Sequence, residues 1–409
     1  MTFKPICTNM QAIKTMVHDT LVWWPFVFLG WLAAACTAGE ESMTGAVTVA
    51  TDRPGKLVLQ DTLVIPTDSI TEPQQYYSQI TADGKYIVFN YNNNCLQIYS
   101  IRHRTLLNKI CFAKDGPHAI GINGSFYYHN HDSIFFLEDY AQHNIKLFDR
   151  HGKLRKYWHL NFPEPYEEYW IGLNEIFARY DYSAKNHTIV FPLYPDEESR
   201  SRTFYQKSRL CSFNLQTEEY NFFGGFPEVF YKSEDLYEQL EFINYYSTPT
   251  QLIAWYHPTK TIYVYDRQNF NQLKFLRIPS RSFKKETRPL LQYGMERADP
   301  QEQRNYLLTA GYTAMMITSP SGRFHYRLIK LPAPLQYADG SIRQFHDKPF
   351  AIQALDSAFN VIDEISFPGG QFDFYQTFAW QDKLYVSMNN PLSEHFNEEA
   401  MQLAVFELK

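Results

Sequence analysis

One unit recurs along the chain and limits what it can become. The stretch NIKLFDRHGKLRKYWHL, residues 144–160, alternates apolar and polar positions, closes on Asp149, turns through His151 and Gly152, and alternates again. A period of two marks strands with one buried face, so the stretch reads as a hairpin. The pattern returns in CLQIYSIRHRTLLNKICF, RLCSFNLQTEEYNFF, TIYVYDRQNFNQLKFLRI and FAIQALDSAFNVIDEISF. There the first strand closes at Ser100, Asn214, Asp266 and Asp356. Asp, Asn and Ser suit that place because their side chains bond nearby backbone and start turns. From Ser100 the steps are about 49, 65, 52 and 90 residues, and Glu407 in AVFEL lies about 51 further on. Apart from the long step, these match the period of propeller blades.

Each hairpin follows two more strand-like runs, which makes four strands per unit. YYSQIT and KYIVFNY precede the first hairpin, and SFYYHN and SIFFLED the second. EIFARYD and TIVFPLY precede the third, LEFINYY and QLIAWYH the fourth, and TAMMITS and RFHYRLIKL the fifth. The last segment offers FYQTFAW, KLYVSMN and MQLAVFEL, one strand short, while KLVLQDTLVIP at 56–66 has no neighbour in sequence. Pairing that run with the last three closes a ring and removes an open sheet edge. The expected fold is all-β: a β-propeller of six four-stranded blades over residues 56–409, closed by the N-terminal strand. With 30 Tyr and 32 Phe, the chain is rich in residues that cover pleated surfaces.

The long step is expected to hold a helical insertion at about 283–311. Asp299 is placed there as N-cap and Pro300 in the first turn, with the helix stopping near Gly311. YPDEESRSRTFYQKS and EVFYKSEDLYEQ explain the other irregular steps. No linker interrupts the repeats, which argues for one domain.

Ahead of the repeats, Leu21 to Ala35 form an uncharged apolar run of about 15 residues, shorter than the roughly 20 that a membrane-spanning helix needs. Lys4 and Lys14 precede it and small residues lead into Cys36, the order of an export signal. Ala-Ala-Cys resembles a bacterial lipobox. It implies a signal peptide over 1–35, lipidation of Cys36 by palmitate-type chains, and attachment to a membrane through that lipid. The small, polar and acidic residues 36–55 then read as a flexible tether. Glu40 and Glu41 are similar to the acidic residues after the lipidated Cys of surface-exported Bacteroidetes lipoproteins. The expected location is the cell envelope, at the periplasmic or surface face of the outer membrane. A plain secretory signal and an uncut anchor are the alternatives.

Cys95, Cys111 and Cys211 remain in the mature chain. Cys95 and Cys111 are equidistant from a hairpin turn and could face each other. Directly opposed pairs are awkward for a disulfide, and there is no CxxC spacing, so buried free thiols are expected.

Few residues suggest chemistry. His129 and His131, beside Asp132, could share a strand face as metal ligands, but a solvated turn is the preferred reading of this pair. His118 in the DGPH loop is a further candidate, as are Arg323 and Arg327, four apart on one strand face and suited to an anion or to carboxylate partners. There is no G-x-S-x-G elbow, HExxH helix, P-loop or EF-hand loop, so no catalytic residue, metal or cofactor is assigned. The formal charge of −6 is spread along the chain without a Lys/Arg block, which argues against nucleic acid. FPEPYEEYW and NFFGGFPEVFY could present aromatic faces to a glycan or peptide, or serve as blade packing. The expected role is a non-catalytic recognition or scaffold protein with a glycan, peptide or envelope-protein partner. The alternative is an envelope enzyme acting on polysaccharide or peptide at one mouth of the ring.

The lipobox-like start, KDGPHAIG at 114–121, SFYYHNHDSIFF and FHYRL at 324–328 together resemble a known group. It is the family of uncharacterised, propeller-like Bacteroidetes lipoproteins of about 400 residues. The resemblance implies an exported propeller of six or seven blades and implies no activity.

Overall fold

The computed structural model describes residues 47–48, 55–68, 77–116, 118–120, 125–138, 143–172 and 180–409. The expected signal peptide, Cys36 and most of the tether lie outside them. Six antiparallel sheets form the blades of a propeller. Blade I is Ser78–Ile80, Lys85–Asn90, Cys95–Ser100 and Thr105–Cys111. Blade II is Ser125–Asn130, Ser133–Glu138, Asn144–Phe148 and Leu154–His159, so the hairpin at 144–160 is its outer half. Blade III is Asp181–Ser183, Thr188–Pro195, Ser208–Asn214 and Tyr220–Gly225. Blade IV is Ile243–Ser247, Gln251–Tyr256, Thr261–Asp266 and Gln272–Arg277. Val47–Thr48 pairs in parallel with the outer strand of blade IV. Blade V is Tyr312–Thr318, Phe324–Lys330, Phe350–Asp356 and Val361–Phe367. Blade VI is Asp373–Trp380, Lys383–Ser387 and Ala400–Leu408, completed by Leu57–Pro66 as its fourth strand. Leu57 pairs with Leu408 at one end of that contact and Pro66 with Ala400 at the other.

The turn chemistry expected at the third strand of each blade is present. Asp149 Oδ1 accepts from the His151 and Lys153 amides at 2.9 and 3.0 Å. Asp266 Oδ1 accepts from Gln268 and Asn269 at 2.8 and 3.1 Å, and Asp356 Oδ1 from Ala358 and Asn360, both at 2.9 Å. Asn214 Oδ1 takes the Gln216 and Thr217 amides at 2.8 and 3.0 Å, and Ser100 Oγ that of His103 at 3.0 Å. Three or four residues later each turn passes through positive φ, at Arg104, Gly152, Glu218, Phe270 and Phe359. One short polar side chain thus satisfies the amides that a tight reversal leaves without ladder partners.

Apolar residues from neighbouring blades form the core between them. Ile87, Ile98 and Phe112 of blade I meet Phe126, Ile134 and Phe148 of blade II in one buried cluster. Leu63, Ile65, Phe378 and Met401 of blade VI meet Tyr86, Val88 and Tyr99 of blade I in another, which closes the ring. Among the described residues no helix is long and apolar enough to cross a membrane.

The insertion helix runs over Pro300–Thr309. Its capping box is complete: Asp299 Oδ1 accepts from the Glu302 amide at 2.7 Å, and Glu302 Oε2 from the Asp299 amide at 3.0 Å. The long step has a second cause that the sequence reading did not identify. Residues 331–349 form an excursion between the second and third strands of blade V, with a short 3-10 turn at Phe345–Asp347. Blade III also differs from expectation. Its inner strand begins at Asp181, while Tyr169–Ile171 pairs with the other end of Thr188–Pro195. Residues 173–179, most of the expected EIFARYD strand, lie outside the described set.

The expectation of free thiols is corrected at two positions. Cys95 and Cys111 form a disulfide, with Cα atoms 4.0 Å apart. They are partners in register, and the flanking Phe112 N to Asn94 O bond at 3.0 Å marks theirs as a non-hydrogen-bonded pair. Side chains approach closest in such pairs, which is why opposed cysteines can join here. Cys211 is free and buried.

Candidate functional site

Strand order divides the connections between the two ends of the sheets. In a four-stranded meander, the links after strands two and four leave from one end and those after one and three from the other. All the long connections, including 112–124, 196–207, 226–242, 278–311, 331–349 and 388–399, leave from the first end. Among the described residues, the links between strands at the other end are tight turns.

This division separates the residues singled out in the sequence. His118 is exposed on the long 112–124 connection. His129 and His131 are exposed at the turn end of blade II, where His129 meets the Tyr182 ring edge-on at 5.1 Å and His131 Nδ1 lies 2.9 Å from the Tyr128 hydroxyl. Asp132 is engaged by Arg150, whose Nε donates to it at 2.8 Å. Arg323, also at a turn end, is exposed and 3.4 Å from Asp382. Arg327 is buried in blade V: Nε donates to Thr313 Oγ1 at 3.0 Å and Nη1 to the Ile278 carbonyl at 2.9 Å. Burial pulls its guanidinium down to about 10. The two arginines therefore occupy different surroundings and form no joint anion cradle.

The aromatic stretches are used in packing. Tyr166 of FPEPYEEYW stacks on Phe222 with centroids 3.6 Å apart, and Phe226 and Phe230 of NFFGGFPEVFY are buried.

The feature shared by all six blades is on the ring axis. A cavity of about 250 Å³ is lined by the first strand of every blade. Tyr127 comes from blade II, Asp181 from blade III, Ser247 from blade IV, Met316 from blade V, Phe378 from blade VI and Ile80 from blade I. Much of its polar wall is already bonded. The Tyr245 hydroxyl donates to the Val190 carbonyl at 2.7 Å. The Tyr246 hydroxyl lies 2.8 Å from His325 Nδ1. Burial pushes the His325 imidazole down to about 4.

Asp181 is the one carboxylate among the described lining residues, and Arg267 from blade IV pairs with it through Nη2. Burial pushes the Asp181 carboxyl up, and Arg267 and Ser247 offset this in part. Arg267 Nη1 and the Trp255 indole N–H are buried without an acceptor. Burial also pushes the Tyr127 phenol up, with the Asp181 charge adding to the shift. None of these five residues was singled out in the sequence. The available clue was polar residues inside an otherwise apolar first strand, as in the YDYS run at 180–183.

The family described as Domain of unknown function (DUF4221) matches residues 54–366, more than half of the chain. The chain belongs to the DUF4221 family. A crystal structure of a family member from Bacteroides vulgatus is similar over 87% of this chain and 99% of that one, with 17% identity and a TM-score of 0.70. A candidate exported protein from Bacteroides fragilis is similar over 89% of this chain and 98% of that one, with 12% identity and a TM-score of 0.51. No curated protein matches. The resemblance carried by KDGPHAIG, SFYYHNHDSIFF and FHYRL is thus to DUF4221 propellers from Bacteroides.

A second buried charge sits near the loop-bearing end of blade V. Lys330 Nζ lies 3.5 Å over the Phe374 ring, and burial pulls the amine down to about 7, with Asp373 offsetting this in part. The unfolded chain holds this proton up to an ordinary lysine value near 10.5. Between about pH 7 and 10 the unfolded state therefore binds more protons, and stability should rise with pH through that window. Lys330→Met should flatten the rise and stabilise the DUF4221 domain below pH 7, where the buried charge is otherwise present, by an amount on the order of a few kcal/mol. Urea melts at pH 6, 8 and 10 check this; parallel pH profiles for the two chains would refute it.

Proposed function

We propose that this DUF4221 protein is an exported, lipid-anchored propeller of the cell envelope that recognises a ligand without transforming it. The axial cavity carries the reading. All six blades meet there, an aromatic wall surrounds a few polar groups, and such concave sites are where small ligands bind. Its described lining offers one carboxylate, already paired with Arg267, whereas glycan hydrolysis takes two carboxyl groups roughly 5 to 10 Å apart. The leader ending at Ala-Ala-Cys36 supports export and lipidation, with the outer membrane as the expected site.

Two measurements test the proposal. Intact-mass analysis of membrane-extracted protein should find Cys36 as the acylated N-terminus, and Cys36→Ala should release the protein from the membrane. A Cys36→Ala chain that stays membrane-bound at precursor mass would refute the anchor. A screen of glycans and peptides should then detect binding without product. Turnover abolished by Asp181→Asn, or by one Asp or Glu substitution in a mouth loop, would make the protein an enzyme.

A further inference from the structure

The axial cavity has two unlike walls. Blades II to IV supply Tyr127, Asp181 and Ser247, with Trp255 beside them, whereas blades V and VI supply Met315, Met316, Phe378 and Ala379. Polar side chains nearer the apolar wall are already engaged. Gln79 clamps the Tyr128 backbone, donating to its carbonyl at 2.9 Å and accepting from its amide at 2.7 Å. Thr318 Oγ1 donates to the Ser319 carbonyl at 3.2 Å. Among the described lining residues, the buried polar atoms that lack a partner both belong to blade IV.

The Trp255 indole N–H and Arg267 Nη1 are donors lacking an acceptor. Asp181 faces the cavity as an acceptor while Arg267 neutralises it. Buried polar groups in native proteins nearly always have partners, so the unpartnered Trp255 N–H in the cavity lining calls for an occupant that brings an acceptor. The Asp181–Arg267 pair is neutral as a unit. A charged occupant would add an uncompensated charge in a desolvated space, which is costly. An uncharged one would not.

Size narrows the choice further. At about 250 Å³ the cavity falls just below the range of drug-sized sites and holds roughly eight waters, or one ring-sized molecule. We propose that the axial cavity binds an uncharged, single-ring molecule whose apolar face lies on Met315, Met316 and Phe378. A hydroxyl or amide edge would accept from Trp255 and donate to Asp181. This inference rests on the axial cavity being the recognition site.

Three probes of nearly equal size separate the charge states: neutral 4-hydroxybenzamide, anionic 4-hydroxybenzoate and cationic tyramine. Each is titrated into the detergent-solubilised full mature chain and followed by calorimetry and saturation-transfer NMR. Only 4-hydroxybenzamide should bind saturably, at one site. Trp255→Phe keeps the ring but removes the N–H, and should weaken binding about three- to tenfold, the worth of one hydrogen bond. Asp181→Asn leaves Arg267 unneutralised and should shift preference to 4-hydroxybenzoate. Melting curves establish that both variants are folded, and Trp255→Phe alone suffices if Asp181→Asn is not. A wild-type preference for either charged probe, still weakened by Trp255→Phe, would overturn the ligand class and leave the cavity as the recognition site. Binding of 4-hydroxybenzamide that neither variant changes would place it elsewhere and overturn the inference. No binding of any probe, with soaked crystals showing only ordered water on the axis, would overturn both.

Discussion

A chain lacking Leu57–Pro66 should no longer unfold as a cooperative unit. This strand is the fourth of blade VI, pairing with Ala400–Leu408 along its whole length. Its removal exposes the Ala400–Leu408 edge and opens the cluster in which Leu63 and Ile65 meet Tyr86, Val88 and Phe378. Leu57, Leu63 and Ile65 are 3%, 5% and 0% exposed, and burying each side chain is worth about 1.5–3 kcal/mol. With the lost ladder bonds, the total is comparable to the roughly 5–15 kcal/mol that holds a domain together. The unpaired edge would also invite association between chains. Circular dichroism should retain strand signal while the thermal transition broadens and soluble yield falls. A truncated chain that melts sharply at the temperature of the full one would show that blade VI does not need this strand.

How far the structure was legible from sequence depended on the range of the signal. The turn acceptors Asp149, Asn214, Asp266, Asp356 and Ser100 act within a few residues of themselves, so they marked the blades directly. The caps Asp299 and Glu302 are local in the same way. Ring closure was legible by counting, because the last segment lacks one strand and the N-terminal run lacks a neighbour. The inner strand of blade III is described only over Asp181–Ser183, at the end of the expected EIFARYD run. The 331–349 excursion went unnoticed because a gap inside a blade looks the same in sequence as a gap between blades.

The candidate site was much less legible. Alternation identifies a strand but does not say which face meets the axis, so Tyr127 and Asp181 looked like any other strand residues. Arg267 reaches Asp181 from the neighbouring blade across 86 positions of sequence, and no local pattern records such a contact. The histidines drew notice because their spacing suits metal ligands. That spacing belongs to a turn in which Asp132 serves Arg150 and His131 meets Tyr128. A residue type that suits a chemistry is common, and convergence on one point is settled only by topology.

Gly152→Ala should destabilise the domain strongly, although Gly152 looks like an ordinary turn glycine. Its φ is +70°, a conformation that costs a residue with a side chain about 1–2 kcal/mol. A Cβ there would also lie 2.0 Å from the Cys111 carbonyl oxygen of blade I. That carbonyl has little room to retreat, because Cys111 is in register with Cys95 and disulfide-bonded to it. Overpacking against fixed atoms costs about 1–3 kcal/mol more, so the total should be about 2–5 kcal/mol. Gly322 provides the control: its φ is also +70°, and a Cβ there meets nothing within 4 Å. Gly322→Ala should show the conformational cost alone, about 1–2 kcal/mol. Chemical denaturation of the two variants then isolates the close approach between blades I and II as their difference. Equal costs would mean that the blade II turn does not press on blade I. A larger cost for Gly152→Ala would show that the outer hairpin is held by its neighbouring blade as well as by its own turn.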